Sequence, residues 1–356
     1  MSGFIASKLA DLDPGDSAGP TSMFRMGRAR SPESLREMLN GAILGQDEAV
    51  AAVVRALTIA AAGISDPHRP IASLLLAGPT GVGKTELARR LAAAITGDPE
   101  KLCRIDMNSL AQEHYAASLS GAPPGYSGAK EQFTLFDRKL IEGNPSRPGI
   151  VLFDEVEKAH TTVLRSLLQI LDTGRLRLTA GTSTIDFRNS VVLLTSNLGS
   201  AQLAAQRKQS RGAMSGLRRR LRHDGIDPTL RAVEEFFDPE LYNRFDEVIS
   251  FSAISHDTAA AIVDRELRLL AGRLARQDIH WQPTAAINDY LTATGFDPVY
   301  GARNLKRTIR LRLHSVIAEA IVEHPGGPPM HIRTEVVGER IVASAAAEPP
   351  HPPVAS

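Results

Sequence analysis

Residues 71–91 read IASLLLAGPTGVGKTELARRL. An apolar run ends at Ala77, residues 78–85 spell G-x-x-x-x-G-K-T, and the helix-compatible ELARRLAAAI follows. Strand, loop and helix in that order are the setting a phosphate-binding loop requires. Gly81 and Gly83 carry no Cβ, so backbone N–H groups there can close around phosphate oxygens. The helix from Thr85 points its positive end at the same oxygens. Lys84 can reach the outer phosphates of a nucleoside triphosphate, and the Thr85 hydroxyl can ligate Mg²⁺. The stretch predicts a nucleotide site on an α/β fold.

Working outward, short apolar strands alternate with helices. Leu102–Met107, Ile150–Phe153 and Ser190–Thr195 read as buried strands. Before the loop, Ser31-Pro32-Glu33 looks like a helix start, and Leu35, Met38, Leu39 and then Val50, Val53, Val54, Leu57 recur at helical spacing. After it, residues 134–143 (TLFDRKLIEG) and 156–174 (VEKAHTTVLRSLLQILDTG) read as helices, the second stopped at Gly174. The pattern predicts a parallel sheet covered on both faces, with its ligands at the carboxyl ends of the strands. From residue 251 the chain turns helical, and residues 331–344 can form a strand pair around Gly338. Residues 1–30 read as a disordered leader and 345–356 as a Pro-rich tail.

Composition narrows the class. A length of 356 residues with 43% hydrophobic content suits one large domain or two. A formal net charge of +1 makes the molecule no general trap for nucleic acid or membrane. The single cysteine, Cys103, rules out an intrachain disulfide and reads as a buried strand residue. No apolar run approaches the ~20 residues of a membrane span, and the N-terminus lacks a signal-peptide pattern, so a cytoplasmic location is expected. A basic cluster (Arg207, Lys208, Arg211, Arg218, Arg219, Arg220, Arg222) is either a solvated helix and loop or a site for an acidic partner.

Asp154 and Glu155 follow the apolar run that ends at Phe153. Such a pair can divide labour, the first holding the Mg²⁺ shell and the second polarising the attacking water as general base. Asn197 ends the next apolar strand, where an amide can orient water, touch the γ-phosphate, or cap a turn.

Six runs occur in one order: GPTGVGKTELA, GAPPGYSG, VLFDEVEKAH, DFRNSVVLLTSNLGS, FDPELYNRFDEVISF and GFDPVYGARNLKR. This set resembles the AAA+ ATPases of the Clp/Hsp100 group, and within it the second ATPase module of the ClpB disaggregases, over residues 31–344. The resemblance implies a three-layer α/β/α ATPase domain over 31–250 and a small, mainly helical domain over 251–344. It implies ATP and Mg²⁺ as cofactors. The phosphate loop would comprise Gly81, Val82, Gly83, Lys84 and Thr85, with Glu86 beside it, and Ile43 and Leu44 would line the adenine pocket. Thr85 and Asp154 would hold the metal, Glu155 would be the base and Asn197 the first sensor. Arg244 would be a finger entering a neighbouring subunit's site, and Arg303 a second sensor of the γ-phosphate. Tyr126 would grip a threaded polypeptide, although Ser127 stands where such proteins commonly carry valine.

The expected assembly is a homo-oligomer, a hexameric ring that unfolds or remodels protein substrates. The alternative is an ATP-dependent assembly switch that closes on a partner without threading it. The length leaves room for one ATPase module. No ClpP-type protease is expected as a partner, because Ser215-Gly216-Leu217 lacks the first apolar residue of a docking tripeptide. Nucleic acid is not expected as a partner either.

Overall fold

The computed structural model describes residues 29, 31–112, 135–144, 147–177, 184–200, 227–297, 301–324 and 326–346. Tyr126 and the basic cluster lie outside the described residues, as do residues 1–28 and 30 of the leader and 347–356 of the tail. Packing divides the chain into two units, Met1–Gly78 with Gly83–Phe251, and Pro79–Val82 with Ser252–Ser356.

The first unit contains α1 (Pro32–Asn40), α2 (Asp47–Ala61), β1 (Ala72–Ala77), α3 (Lys84–Thr96), β2 (Cys103–Asp106), α4 (Arg138–Glu142) and β3 (Gly149–Asp154). It continues through α5 (Thr161–Thr173), β4 (Arg175–Arg177), β5 (Thr184–Asp186), β6 (Ser190–Ser196), α6 (Pro228–Phe236), α7 (Pro239–Tyr242) and β7 (Glu247–Ser250). Five strands form one parallel sheet in the order β2-β3-β6-β1-β7. Every residue of β1, β3 and β6 is buried, as expected of a sheet covered on both faces. Along one face Leu75, Val151, Phe153, Val192 and Leu194 pack with Val163, Leu167, Ile170 and Leu171 of α5. Adjacent strands lie about 4.8 Å apart, so the ends of β3, β6 and β1 deliver Asp154, Ser196 and Ala77 side by side. The predicted parallel α/β sheet is thus present. The short strands β4, β5 and β7 were not legible in the sequence.

Two helices are shorter than their sequence suggests. The predicted 156–174 helix begins only at Thr161, after a 3-10 turn over Val156–Lys158. Glu155 sits in the left-handed region at φ 60°, ψ 54°, which breaks the path from β3, and the His160 ring accepts the Thr162 N–H to cap the helix that follows. Gly174, also left-handed, ends it as expected. Of the predicted 134–143 helix, the described residues 135–143 are helical over Arg138–Glu142, because the Asp137 carboxylate accepts the Lys139 and Leu140 N–H groups and fixes the start there. The capping box of Ser31 and Ser34 opens α1 at the expected place. Cys103 is buried in β2, and burial pushes its thiol pKa up.

The second unit contains α8 (His256–Ala275), β8 (Ile279–Trp281), α9 (Ala285–Gly295), α10 (Gly301–Ile309), a π-helical turn at Arg310–His314, α11 (Ser315–Glu323), and the antiparallel pair β9 (Met330–Val337) and β10 (Arg340–Ala346). The expected strand pair at Gly338 is present, and β8 joins it in parallel to give the order β10-β9-β8. Buried Trp281 donates its indole N–H to Thr334 Oγ1 at 3.0 Å, so the small sheet leaves no unpaired indole. Among the described residues no helix is long and apolar enough to cross a membrane.

Candidate nucleotide site

The loop after β1 needs its glycines. Gly78, Gly81 and Gly83 have φ of 141°, 76° and 114°, values that side chains disfavour. A Cβ on Gly78 would also stand 2.5 Å from the Phe251 carbonyl oxygen. Gly83 caps α3 with no side-chain hydrogen bond. Lys84 opens α3 and is buried, donating to the Gly78 carbonyl at 2.7 Å and to Asn197 Oδ1 at 3.0 Å.

That second bond joins the start of α3 to the residue after β6. The Asn197 amide is held from both sides, because its Nδ2 donates to Glu155 Oε1 at 3.2 Å. Its backbone N–H donates to Glu157 Oε1 at 3.1 Å, and Glu157 Oε2 is buried with no hydrogen-bond partner among the described residues. The side chain of Asn197 therefore spans Lys84 and Glu155.

Asp154 is 6% exposed and carries a full set of donors. Its Oδ1 accepts from Thr85 Oγ1 at 3.2 Å and from Thr195 Oγ1 at 2.5 Å. Its Oδ2 accepts from Arg104 Nε at 3.0 Å and Nη2 at 2.5 Å. Thr195 works in two directions: its hydroxyl donates to Asp154, and its oxygen accepts the Glu155 N–H at 2.9 Å. A left-handed non-glycine residue costs about 1–3 kcal/mol, and this bond helps hold Glu155 there. The sequence reading missed Thr195, Arg104 and Glu157. The one available signal was the threonine hydroxyl that follows the apolar V-V-L-L of β6.

The remaining predicted residues are placed as follows. Ile43 is buried, and its Cγ2 lies 3.5 Å from where a Cβ on Gly83 would stand; Leu44 is half-buried. Val82 is buried. Glu86 lies in the first turn of α3 and accepts from Arg90 at 2.7 Å. Arg303 is exposed near the start of α10 in the second unit. Arg244 is not in this cluster. It follows α7 at the opposite, amino-terminal end of β1, where Ser73 Oγ donates to its carbonyl at 3.0 Å, and its Nη2 pairs with Asp172 Oδ1 at 3.1 Å.

A lysine and a threonine at a glycine-built helix start, beside two strand-end carboxylates and an amide, form a phosphoryl-transfer constellation. Comparison with known proteins agrees with that chemistry. Residues 69–248 match the family described as AAA domain (Cdc48 subfamily), and residues 254–333 match the C-terminal, D2-small domain of ClpB protein. The chain belongs to the AAA+ ATPases of the Clp/Hsp100 group. Its activity is ATP hydrolysis. It is 52% identical over 311 residues to an ATP-dependent protease ATP-binding subunit-like protein of Rhodococcus erythropolis, covering 86% of this chain and 88% of that one. It is 43% identical to chaperone protein ClpB 2 of Thermosynechococcus vestitus, covering 87% of this chain but only 34% of that relative. Among solved structures, a closed-state reconstruction of Hsp104 with ATPγS and FITC casein matches with a TM-score of 0.71 at 30% identity, covering 88% of this chain and 51% of that chain.

Proposed function

We propose that this chain is a ring-forming AAA+ unfoldase whose ATP hydrolysis remodels or threads protein substrates. One observation carries the ring. Arg244 is anchored at Ser73, five residues before Gly78 along an extended strand, or about 16 Å from its own phosphate loop. That position, remote from its own phosphate loop, suits an arginine offered to the nucleotide of another copy.

Gly81, Val82, Gly83, Lys84, Thr85 and Glu86 form the phosphate cradle, and Ile43 and Leu44 border the adenine. Lys84 neutralises the outer phosphates. Glu155 accepts a proton from the attacking water, and Asn197, held between Lys84 and Glu155, fixes that water's direction. The hard oxygens of Thr85 and Asp154 lie 3.2 Å apart, a donor pair that suits Mg²⁺. When bound there, Mg²⁺ would offset the negative charge of the phosphates. Arg244 from a second copy adds fixed positive charge where the γ-phosphate leaves.

Casein in the Hsp104 complex supports a polypeptide as the substrate class, and Tyr126 is the residue assigned to grip it. The sequence offers no docking tripeptide for a ClpP-type protease. The reading predicts rings of Glu155→Gln in ATP by negative-stain microscopy, and unfolding of a tagged fluorescent protein by the wild type. Tyr126→Ala should lose unfolding far more than it loses ATP turnover. If Tyr126→Ala unfolds that substrate as well as wild type, threading is wrong and an assembly switch becomes the better account.

A further inference from the structure

The residue that holds Arg244 in place lies 175 positions earlier in the chain. Arg69 ends the turn before β1, and its side chain is three-quarters buried. Its Nε donates to the Leu171 carbonyl at 2.9 Å, in the last turn of α5. Its Nη2 donates to the Arg244 carbonyl at 2.5 Å, and its Nη1 lies 3.6 Å from Asp246 Oδ1. The other carboxylate oxygen of Asp246 accepts from the backbone N–H of Ser73 at 2.6 Å. One planar group thus ties the end of α5 to the Arg244 turn, and that turn to the first residues of β1.

The neighbouring residue completes the arrangement. Asp172, next to Leu171, takes the guanidinium of Arg244 at 3.1 Å, while Arg244 Nε is buried with no hydrogen-bond partner among the described residues. Arg244 is therefore fixed at its backbone by Arg69 and at its side chain by the helix that Arg69 also grips. Among the described residues, the hydrogen bonds and ion pair of the Arg69 side chain go to Leu171, Arg244 and Asp246, none of them in the phosphate cluster.

We propose that Arg69 is a positioning residue for Arg244: it sets the reach of the arginine that one copy presents to the nucleotide of another. The proposal rests on the trans role of Arg244 given above. The chemistry calls for arginine specifically. A guanidinium fork satisfies two carbonyls in fixed directions at once, whereas a lysine ammonium is a point charge on a flexible stem. Misplacing a transition-state group by about 1 Å can cost as much as 100-fold in rate.

The test is a double-mutant cycle on turnover, with nucleotide affinity and unfolding midpoint measured on each variant. Arg69→Gln should lower ATP turnover by roughly 10- to 100-fold, while a fluorescent ATP analogue binds within about twofold of wild type. Adding Lys84→Ala subunits should restore turnover, because they present an intact Arg244 to the intact pocket of Arg69→Gln. In an Arg244→Ala background, Arg69→Gln should cause no further loss, since a residue that acts through Arg244 has nothing left to position. Arg69→Lys keeps the charge and one carbonyl bond, so it should fold with the wild-type midpoint and show an intermediate rate.

Turnover of Arg69→Gln near wild type, with Arg244→Ala inactive, overturns this proposal alone. An additional loss in the Arg244→Ala background, as large as in wild type, overturns it too, because the effect is then general damage. If Arg244→Ala itself turns over normally, the trans-arginine reading falls and this proposal falls with it.

Discussion

Thr195→Val removes one hydroxyl from the middle of the sheet and keeps the shape of the side chain. Thr195 is 1% exposed, so water cannot replace what is lost. Two bonds go together. Asp154 loses its Thr195 donor at 2.5 Å, and the Glu155 N–H loses its acceptor at 2.9 Å. A hydrogen bond to a charged group contributes about 1.5–3 kcal/mol, and a buried N–H left unpaired costs about 1–3 kcal/mol. The substitution should therefore destabilise the protein by about 3–5 kcal/mol, a large share of the ~5–15 kcal/mol available to a folded domain. Thr195→Ser keeps the hydroxyl and removes one methyl, so it should stay within about 1 kcal/mol. Urea unfolding without nucleotide reads both values from the midpoint and slope. Turnover should follow the same order, falling at least about tenfold in Thr195→Val because Glu155 loses the bond that holds its left-handed turn. A Thr195→Val protein that unfolds within 1 kcal/mol of wild type (about a fivefold change in the equilibrium) would refute the account of how the two carboxylates are held.

Three further outcomes are expected. Glu155→Gln should bind ATP but hydrolyse it at least about 100-fold more slowly, whereas Lys84→Ala should weaken binding itself; equilibrium titration and single-turnover hydrolysis separate the two. Gly149→Ala should destabilise by about 3 kcal/mol or more, since the added Cβ would stand 1.9 Å from the Ile141 carbonyl oxygen and 2.6 Å from that of Leu140, backbone atoms that cannot rotate away; denaturant melts measure it. Burial, with the positive charge of Arg273 next, holds the His314 pKa below its ordinary value. The unfolded chain then binds the proton more readily, so stability should fall as pH drops below about 6.5; His314→Gln should flatten the dependence of Tm on pH between 7.5 and 5.5.

What could be read from sequence was what local chemistry dictates. Gly81 and Gly83 mark a loop that side chains would block, and the predominantly apolar β1, β3 and β6 announce strands buried on both faces. Asp154 and Glu155 stood out because charge abruptly follows such a strand. What escaped depends on which strands become neighbours. Arg104 reaches Asp154 only because β2 pairs with β3, and Thr195 meets Asp154 only because β6 lies on the other side. Neither pairing leaves a local mark. Strands of three or four residues, such as β4, β5, β7 and β8, carry too few alternations to be distinguished from loops. Glu155 disguised the start of α5, because a left-handed glutamate is not a turn residue that composition suggests.

The short strand β1 is also a ruler. Its carboxyl end feeds the phosphate loop, and Ser73 near its amino end fastens Arg244. Loops elsewhere in the domain can lengthen at small entropic expense. One residue added inside β1 would invert every side chain beyond it. Two would restore the faces but separate the two fittings by a further ~6.6 Å. The spacing between the phosphate loop and Arg244 is thus written in the residue count of one strand, a dimension that drift in sequence can decorate but not stretch.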